Sequence, residues 1–493
     1  MPDEKNGPLV TLLNDVVKLR AEVAASGGAL YRTWRERIDR PAFAASALNF
    51  AHYLELRHFD LRGLQRRLMT LGLSSLGRSE GRVLASLDAI AWALSRLADM
   101  EAGRPPSESR FFRGERKLRA NTMEFFGPQQ DSRNGRIMVT LGSEAADDPE
   151  YIADLAQQGA DVLRINCGHD DEAVWAHMIA NARLAATIRP LRVLMEIAGP
   201  KVRMKDVYSP PGKPRLKIGD ILLLCREIDP TLADYPYQST VTPARALERL
   251  KVGDIVSIDD GKMRGPIFAQ TERGFAVNFT EGRAKGVKLK PDRGLNFPAV
   301  DLNLDPLTDK DRNDLAFAVR HADLIGFSFV QNADQVAGLQ RELAALRADW
   351  QSIGMMIKIE TPAAVSNLPE IIVQAAGRQP LAVMIARGDL AAEIGFERVA
   401  EMQEEILWLC EAAQVPSIWA TQVLDGLIHE GLPSRSEMTD AAMAVQAECV
   451  MLNKGPHLKA GLAALDRLLR RMGENYVKKT PTLRALGSWP MRP

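Results

Sequence analysis

Cysteine is scarce in this chain of 493 residues, with only Cys167, Cys225, Cys410 and Cys449, far apart and without a C-x-x-C pair. That excludes a disulfide scaffold and a structural zinc site, and points to a reducing compartment. An excess of either charge is also lacking: Lys plus Arg and Asp plus Glu each number 63. There is no net field to draw in nucleic acid or an anionic membrane, so an anionic ligand must be held by a few local bases. No apolar run approaches the ~18 residues a membrane span needs. The opening MPDEKNGPLV has no charged-then-apolar signal layout. The expectation is a cytoplasmic protein with no membrane or nucleic-acid partner. What the chain does have is ordinary globular composition, 46% apolar and 26% charged, with length for about three domains.

Residues 1–130 carry helical periodicity and almost no strand signal. In LVTLLNDVVKLRAEVAAS apolar residues return every three or four positions, and Gly27-Gly28 is expected to end that helix. A second helical run follows Pro41 to about Gly72, and a third spans RSEGRVLASLDAIAWALSRLADM before a GRPPSES linker at 103–109. From about 135, short β-prone runs alternate with amphipathic helices: RIMVTL, DVLRIN, RVLMEI, DLIGFSF, GMMIKIE, LAVMIA, VPSIWAT and ECVMLN. Eight such alternations predict an α/β fold, a (β/α)₈ TIM barrel. Residues 204–292 interrupt it with strand-like GDILLL, GDIVSIDDG and GFAVNF. Removing them leaves 131–203 and 293–473, close to the ~250 residues a plain barrel needs. The organisation expected is a helical region at 1–130, a barrel at 131–203 and 293–473, a small all-β lid at 204–292 and a tail at 474–493.

Barrel chemistry gathers at the C-terminal strand ends. Those ends carry Arg164 and Asn166, Glu196, Ser328, Lys358 and Glu360, Arg387-Gly388-Asp389 and Thr421. Period-two geometry puts Arg164 with Asn166, and Lys358 with Glu360, on one strand face. Taken singly each has a plain explanation: Asp389 can cap a helix, Asp259-Asp260-Gly261 is a turn signal, and His169 alone is unconvincing. Polar residues at so many strand ends on one side point to a site. Glu360 and Asp389 are hard oxygen ligands suited to Mg²⁺ or Mn²⁺. Arg164, Arg203 and Lys358 suit phosphoryl oxygens. With no Ser-His-Asp or Cys-His system and no Walker-type loop, the pattern favours phosphoryl transfer by positioning and electrostatics.

These segments resemble pyruvate kinase. The resemblance runs through RIMVTLGSEA, VLRINCGHD, GPKVR, KGVKLK, VDLNLDPLTDKDRNDL, SFVQNADQV, IKIETPAAVSNLPEI, ARGDLAAEI and the stretch from WATQVLDGLIHEGL to ECVML, covering about 135–465. It implies transfer of phosphate from phosphoenolpyruvate to ADP. Glu360 and Asp389 would hold the divalent ion. Lys358 would steady the moving phosphoryl group, with Arg164 and Arg203 on its oxygens. Ser328, Gly388 and Asp389 would line the substrate site, the helix start at Gly388-Asp389 taking the substrate carboxylate. Thr421 would stand near the proton source. Asn166, His169, Arg203 and Lys285 would meet the nucleotide, and the insert would close as a lid.

The departures carry expectations too. Where K⁺-dependent members hold K⁺ with Asn, Ser, Asp and Thr, this chain has Asn166, Gly168, Glu196 and Ile197. Lys201 stands where those members carry Glu, so its ammonium is expected to replace K⁺. The family's S-G-E-T-A after the eighth strand reads Asn453-Lys454-Gly455-Pro456, and the family's C-terminal effector domain is not expected here. A homo-oligomer is left open. Two other readings stand beside this one: a barrel lyase or aldolase acting through a metal-bound pyruvate enolate, and a non-catalytic binding relative.

Overall fold

The computed structural model describes residues 3–129, 133–259, 261–298, 300–473, 476–478 and 480–481. Asp260 of the expected turn, and most of the tail at 474–493, lie outside the described residues. The helical region comprises α1 (Asp3–Trp34), α2 (Pro41–Leu56), α3 (Arg62–Met69), α4 (Val83–Leu97), the single-turn α5 (Glu108–Phe111) and α6 (Arg113–Phe126). Two expectations fail here. Helix α1 runs straight through Gly27-Gly28. A Cβ at Gly27 would sit 2.5 Å from His52 Cδ2, so the glycine lets α1 lie directly on α2 instead of ending the helix. The second helical run is also broken, since α2 stops at Leu56 and Arg57–Asp60 are all exposed before α3 begins.

The barrel strands are β1 (Arg136–Thr140), β2 (Val162–Asn166) and β3 (Arg192–Ile197). An insert follows, built from β4 (Arg203–Tyr208), β5 (Arg215–Leu216), β6 (Ile221–Cys225), β7 (Tyr237–Thr242), β8 (Ile255–Ile258), β9 (Met263–Thr271), β10 (Gly274–Asn278), β11 (Glu281–Gly282), β12 (Val287–Lys288) and β13 (Leu295–Asn296). The barrel resumes with β14 (Leu324–Phe327), β15 (Gly354–Ile359), β16 (Leu381–Ala386), β17 (Ser417–Ala420) and β18 (Cys449–Leu452). All eight barrel strands run parallel and close in the order β1-β2-β3-β14-β15-β16-β17-β18. Around them lie α7 (Pro149–Gln157), α8 (Glu172–Ala185), α9 (Asp309–His321), α10 (Ala333–Leu346), α11 (Pro362–Ser366), α12 (Leu368–Ala376), α13 (Arg387–Ile394), α14 (Phe396–Ala412), α15 (Asp425–Glu430), α16 (Arg435–Met443) and α17 (Leu458–Gly473).

The insert has its own core, with Leu222, Leu224, Val256, Ile258 and Phe279 packed together. Val202, Leu295 and Phe297 belong to that core, and β13 pairs with β8. The insert's sheet therefore runs beyond the 204–292 expected, because the returning chain completes it before re-entering the barrel. Inside the barrel, alternate residues (Met138, Val162, Leu194, Leu324, Met356, Met384, Ile418, Cys449) fill the axis. Phe125 and Phe126 at the end of α6 join this cluster, and Phe125 abuts Gly354, the first residue of β15. Helix α6 thus plugs the barrel at the strand starts. Other helices dock on its flank: Asn49 donates to the Ala412 carbonyl at 2.8 Å and Trp34 Nε1 to Glu370 Oε1 at 2.9 Å. No helix among the described residues is long and apolar enough to cross a membrane.

Candidate active site

The strand pleat that fills the axis also makes the mouth. Counting by twos along an inward face, Val162 is followed by Arg164, Leu194 by Glu196 and Met356 by Lys358 and then Glu360. Met138 leads in the same way to Thr140. Each strand switches from apolar to polar in one step, at the same end of the barrel.

Glu196 is the hub. Its carboxylate accepts two hydrogen bonds from Arg164, both at 2.7 Å, while Arg164 Nη1 also donates to Thr140 at 2.9 Å. Lys358 Nζ lies 3.3 Å from Glu196, 3.3 Å from Ser328 Oγ and 2.7 Å from Glu360. Burial alone would raise the Glu196 pKa, but Arg164 and Lys358 outweigh it and hold the carboxyl at about 2. Burial likewise works against the Lys358 charge, yet Glu196, Glu360 and Asp389 keep its pKa well above normal. Both groups therefore stay charged at neutral pH.

Glu360 and Asp389 lie close enough for the Asp389 charge to act on the Glu360 titration. Burial, with Asp389 adding to it, drives the Glu360 pKa up despite Lys358. Desolvation works against the Asp389 charge too, but Lys201, at 2.6 Å, and then Lys358 draw its pKa down. Glu360 Oε2 accepts from the Phe329 backbone N–H at 2.6 Å. Its Oε1 is buried without a well-aligned donor, although Lys358 Nζ is 2.7 Å away. A buried, under-satisfied carboxylate oxygen beside a second carboxylate fits a hard divalent cation. Among the described residues no three His, Cys, Asp or Glu converge on one point. Such an ion would take its other ligands from substrate and water, as Mg²⁺ commonly does.

On the far wall, Thr421 Oγ1 accepts from the Gly388 backbone N–H at 2.9 Å, joining the end of β17 to the first turn of α13. Thr421 and Gln422 have φ of 65° and 56°, the left-handed region that a β-branched residue rarely enters. Arg387 holds them there, donating to the Ala420 carbonyl at 2.9 Å and the Thr421 carbonyl at 2.7 Å, with Asp440 closing the pair on its other side.

The four expected nucleotide contacts come from three places in the chain, and His169 donates its backbone N–H to the Asn166 carbonyl at 3.0 Å. Asn166 Oδ1 accepts from the Gly168 N–H at 3.0 Å, a local turn. His169 is close enough to Lys454 and Arg203 for both, after partial desolvation, to pull its pKa down. Arg203 donates to the Asp292 carbonyl at 2.9 Å where the chain crosses into the insert. Lys285 is exposed in the insert. Sequence reasoning missed Thr140 and the bridging role of Glu196. It also missed Glu393, whose carboxyl burial pushes up to about 7 while Asn296 of β13 donates to it at 3.1 Å. Period-two counting could have flagged Thr140; the Asn296–Glu393 contact, 97 positions apart, carries no local signal. Lys201, Asn296, Phe329, Thr361 and Glu393 line a cavity of about 470 Å³ between insert and mouth.

Comparison with known proteins gives a consistent picture. The family model for the pyruvate kinase barrel domain matches residues 132–456. A pyruvate kinase of Methylorubrum extorquens is 35% identical over 65% of this chain and 64% of its own length. One of Geobacillus stearothermophilus is 32% identical over 65% of this chain and 53% of its own length, and one of Agrobacterium vitis 32% over 72% and 71%. The match thus spans between half and two thirds of the first two of these curated relatives. The crystal structure of a pyruvate kinase from Cryptosporidium parvum superposes with a TM-score of 0.61 at 26% identity, covering 72% of this chain and 73% of that one.

Proposed function

This chain belongs to the pyruvate kinase family, and from that premise we propose that it transfers the phosphoryl group of phosphoenolpyruvate to ADP, giving pyruvate and ATP. The observation that carries the reading is the buried array at the barrel mouth, in which Lys358 sits between Glu196 and Glu360 while Arg164 points into the same space. Lys358 is the catalytic cation. It stays protonated and offsets charge on the phosphoryl group as the P–O bond to the enol oxygen breaks and one to the ADP phosphate forms. Arg164 and Arg203 hold phosphoryl oxygens, Ser328 steadies Lys358, and the first turn of α13 at Gly388 receives the substrate carboxylate. Thr421 stands on the face from which the enolate carbon takes its proton.

Glu360 and Asp389 are the residues that hold Mg²⁺ or Mn²⁺; bound there, the ion supplies charge neutralisation and a template for the substrate oxygens. Asn166, His169 and Lys285 are the proposed nucleotide contacts. Lys285 reaches the site only when the insert, 204–292 with its return strand, swings toward the mouth.

Independence of K⁺ belongs to the same reading. Lys201 places an ammonium 2.6 Å from Asp389, and Glu196 is already committed to Arg164 and Lys358, so neither is arranged as a K⁺ ligand. The test is pyruvate release from phosphoenolpyruvate and ADP with Mg²⁺, run without K⁺ and again with KCl. Turnover in both is expected. Turnover only with KCl would keep the kinase and reject the role of Lys201, and folded protein inactive in both would reject the kinase. In a second arm, Lys201→Glu should make turnover rise with added KCl, which indifference to KCl would contradict.

A further inference from the structure

The helical region holds a second cavity, of about 240 Å³, that the proposed reaction does not use. Its walls come from one face of α2, the start of α4 and the α5–α6 junction, and four cations line it: Arg82, Arg110, Arg113 and Lys117. Among the described residues no Asp or Glu lines it. In a chain whose acids and bases balance at 63 each, four charges of one sign around one cavity is a local excess.

The sequence explains how they meet. Arg110, Arg113 and Lys117 are spaced by three and four, so they share one face across the junction into α6. Arg82 arrives from the opposite side because Gly114 carries no side chain: a Cβ there would lie 2.0 Å from the Gly81 carbonyl oxygen, so the two backbones touch. The Arg82 guanidinium then stacks on Phe111 and Phe112, 4.8 and 5.3 Å from the ring centroids. Among the described residues neither Arg82 nor Arg113 pairs with a carboxylate. Arg110 shares Asp88 with Arg20, each at 2.8 Å, and Lys117 donates only to the Ala42 carbonyl at 2.9 Å. One carboxylate for four cations leaves the cavity strongly positive.

We propose that this cavity binds a small organic phosphate, its phosphate gripped by Arg82 and Arg113 with Lys117 and Arg110 alongside, and its carbon body against Leu48 and Leu84. Guanidinium forks match phosphate oxygens in pairs. The cavity is small, unlike the extended stripe a nucleic acid requires, and Ala45, Leu48, Leu84 and Ala85 give part of its wall an apolar surface. It is distinct from the mouth. Gln414 borders it just before β17 begins, whereas Thr421 stands beyond the other end of that strand.

The experiment is calorimetric titration of the full chain with glycerol 3-phosphate, inorganic phosphate and glycerol. Both phosphates should bind and glycerol should not. An Arg113→Ser, Lys117→Ser double variant should weaken glycerol 3-phosphate binding about tenfold or more, the loss of two charge-assisted contacts. Lys358→Met, at the mouth, should leave that binding unchanged. Should the double variant fold poorly, Arg113→Glu reverses one exposed charge without touching the packing and should weaken binding as well. Absence of any phosphate-dependent heat overturns the proposal. So does binding that survives the helical variants and is lost in Lys358→Met, which would assign it to the mouth.

Discussion

Glu196 concentrates the electrostatics of the mouth in one side chain. With its pKa held near 2 against an ordinary 4.5, it stabilises the fold fully above about pH 4.5, and that contribution is lost as pH falls through about 2. That lowering corresponds to roughly 3 kcal/mol. The stability difference between the parent chain and Glu196→Gln, measured by denaturant unfolding, should therefore shrink as pH is lowered from 5 toward 2; a gap independent of pH would refute the assignment. The same substitution loosens Arg164 and Lys358, so kcat should fall more than KM rises. Glu360→Gln removes one of two hard ligands. Turnover should drop by about 10³-fold and Mn²⁺ binding, followed by paramagnetic resonance, should weaken in parallel. Full activity in that variant would reject the metal pair. The inward placing of Arg164, Lys358 and Glu360 was legible in the sequence because such strand residues follow a period of two, whereas Asp389 stands in the first turn of α13; that Glu196 ties Arg164 and Lys358 together depends on cross-strand distances no local pattern encodes.

At the scale of elements, helix α1 shows packing overriding propensity. Gly27-Gly28 is a stop signal by composition, yet the helix continues because Gly27 meets His52 of α2. The two glycines should respond oppositely to alanine. Gly27→Ala forces a methyl into His52 and should cost about 1–3 kcal/mol. Gly28→Ala meets nothing nearer than Arg32 Nη1 at 3.8 Å and should gain up to ~1 kcal/mol from helix propensity. Thermal unfolding of the two variants checks this, and equal destabilisation would show that the packing contact does not decide the helix. The strand boundaries, by contrast, were readable to within about two residues. RVLMEI and LAVMIA are β3 and β16 as they stand, since buried parallel strands are continuous apolar runs bounded by polar ends.

For the whole molecule, the helical region and the barrel share one hydrophobic core, so they are expected to unfold together. Phe125 and Phe126 sit in the barrel's inner cluster, so α6 supplies the floor beneath the mouth. Phe126→Ala should cost about 3–5 kcal/mol as a cavity opens among the axial methionines, lowering the unfolding temperature of barrel and helical region together. Separate transitions, with the barrel unaffected, would contradict that coupling.

By itself the sequence determined the barrel, its interruption by a β-rich insert and the polar strand ends at its mouth, because alternation and periodicity are local and survive translation into structure. Tertiary structure decided the rest: the plug from α6, the continuity of α1, the Asn296–Glu393 contact between insert and barrel, and the convergence of Arg82 with Arg113 on one cavity. Each of these joins residues from different elements, and the physical reason is common to all. Close packing and unscreened charge act through distance in space, which a linear pattern does not record.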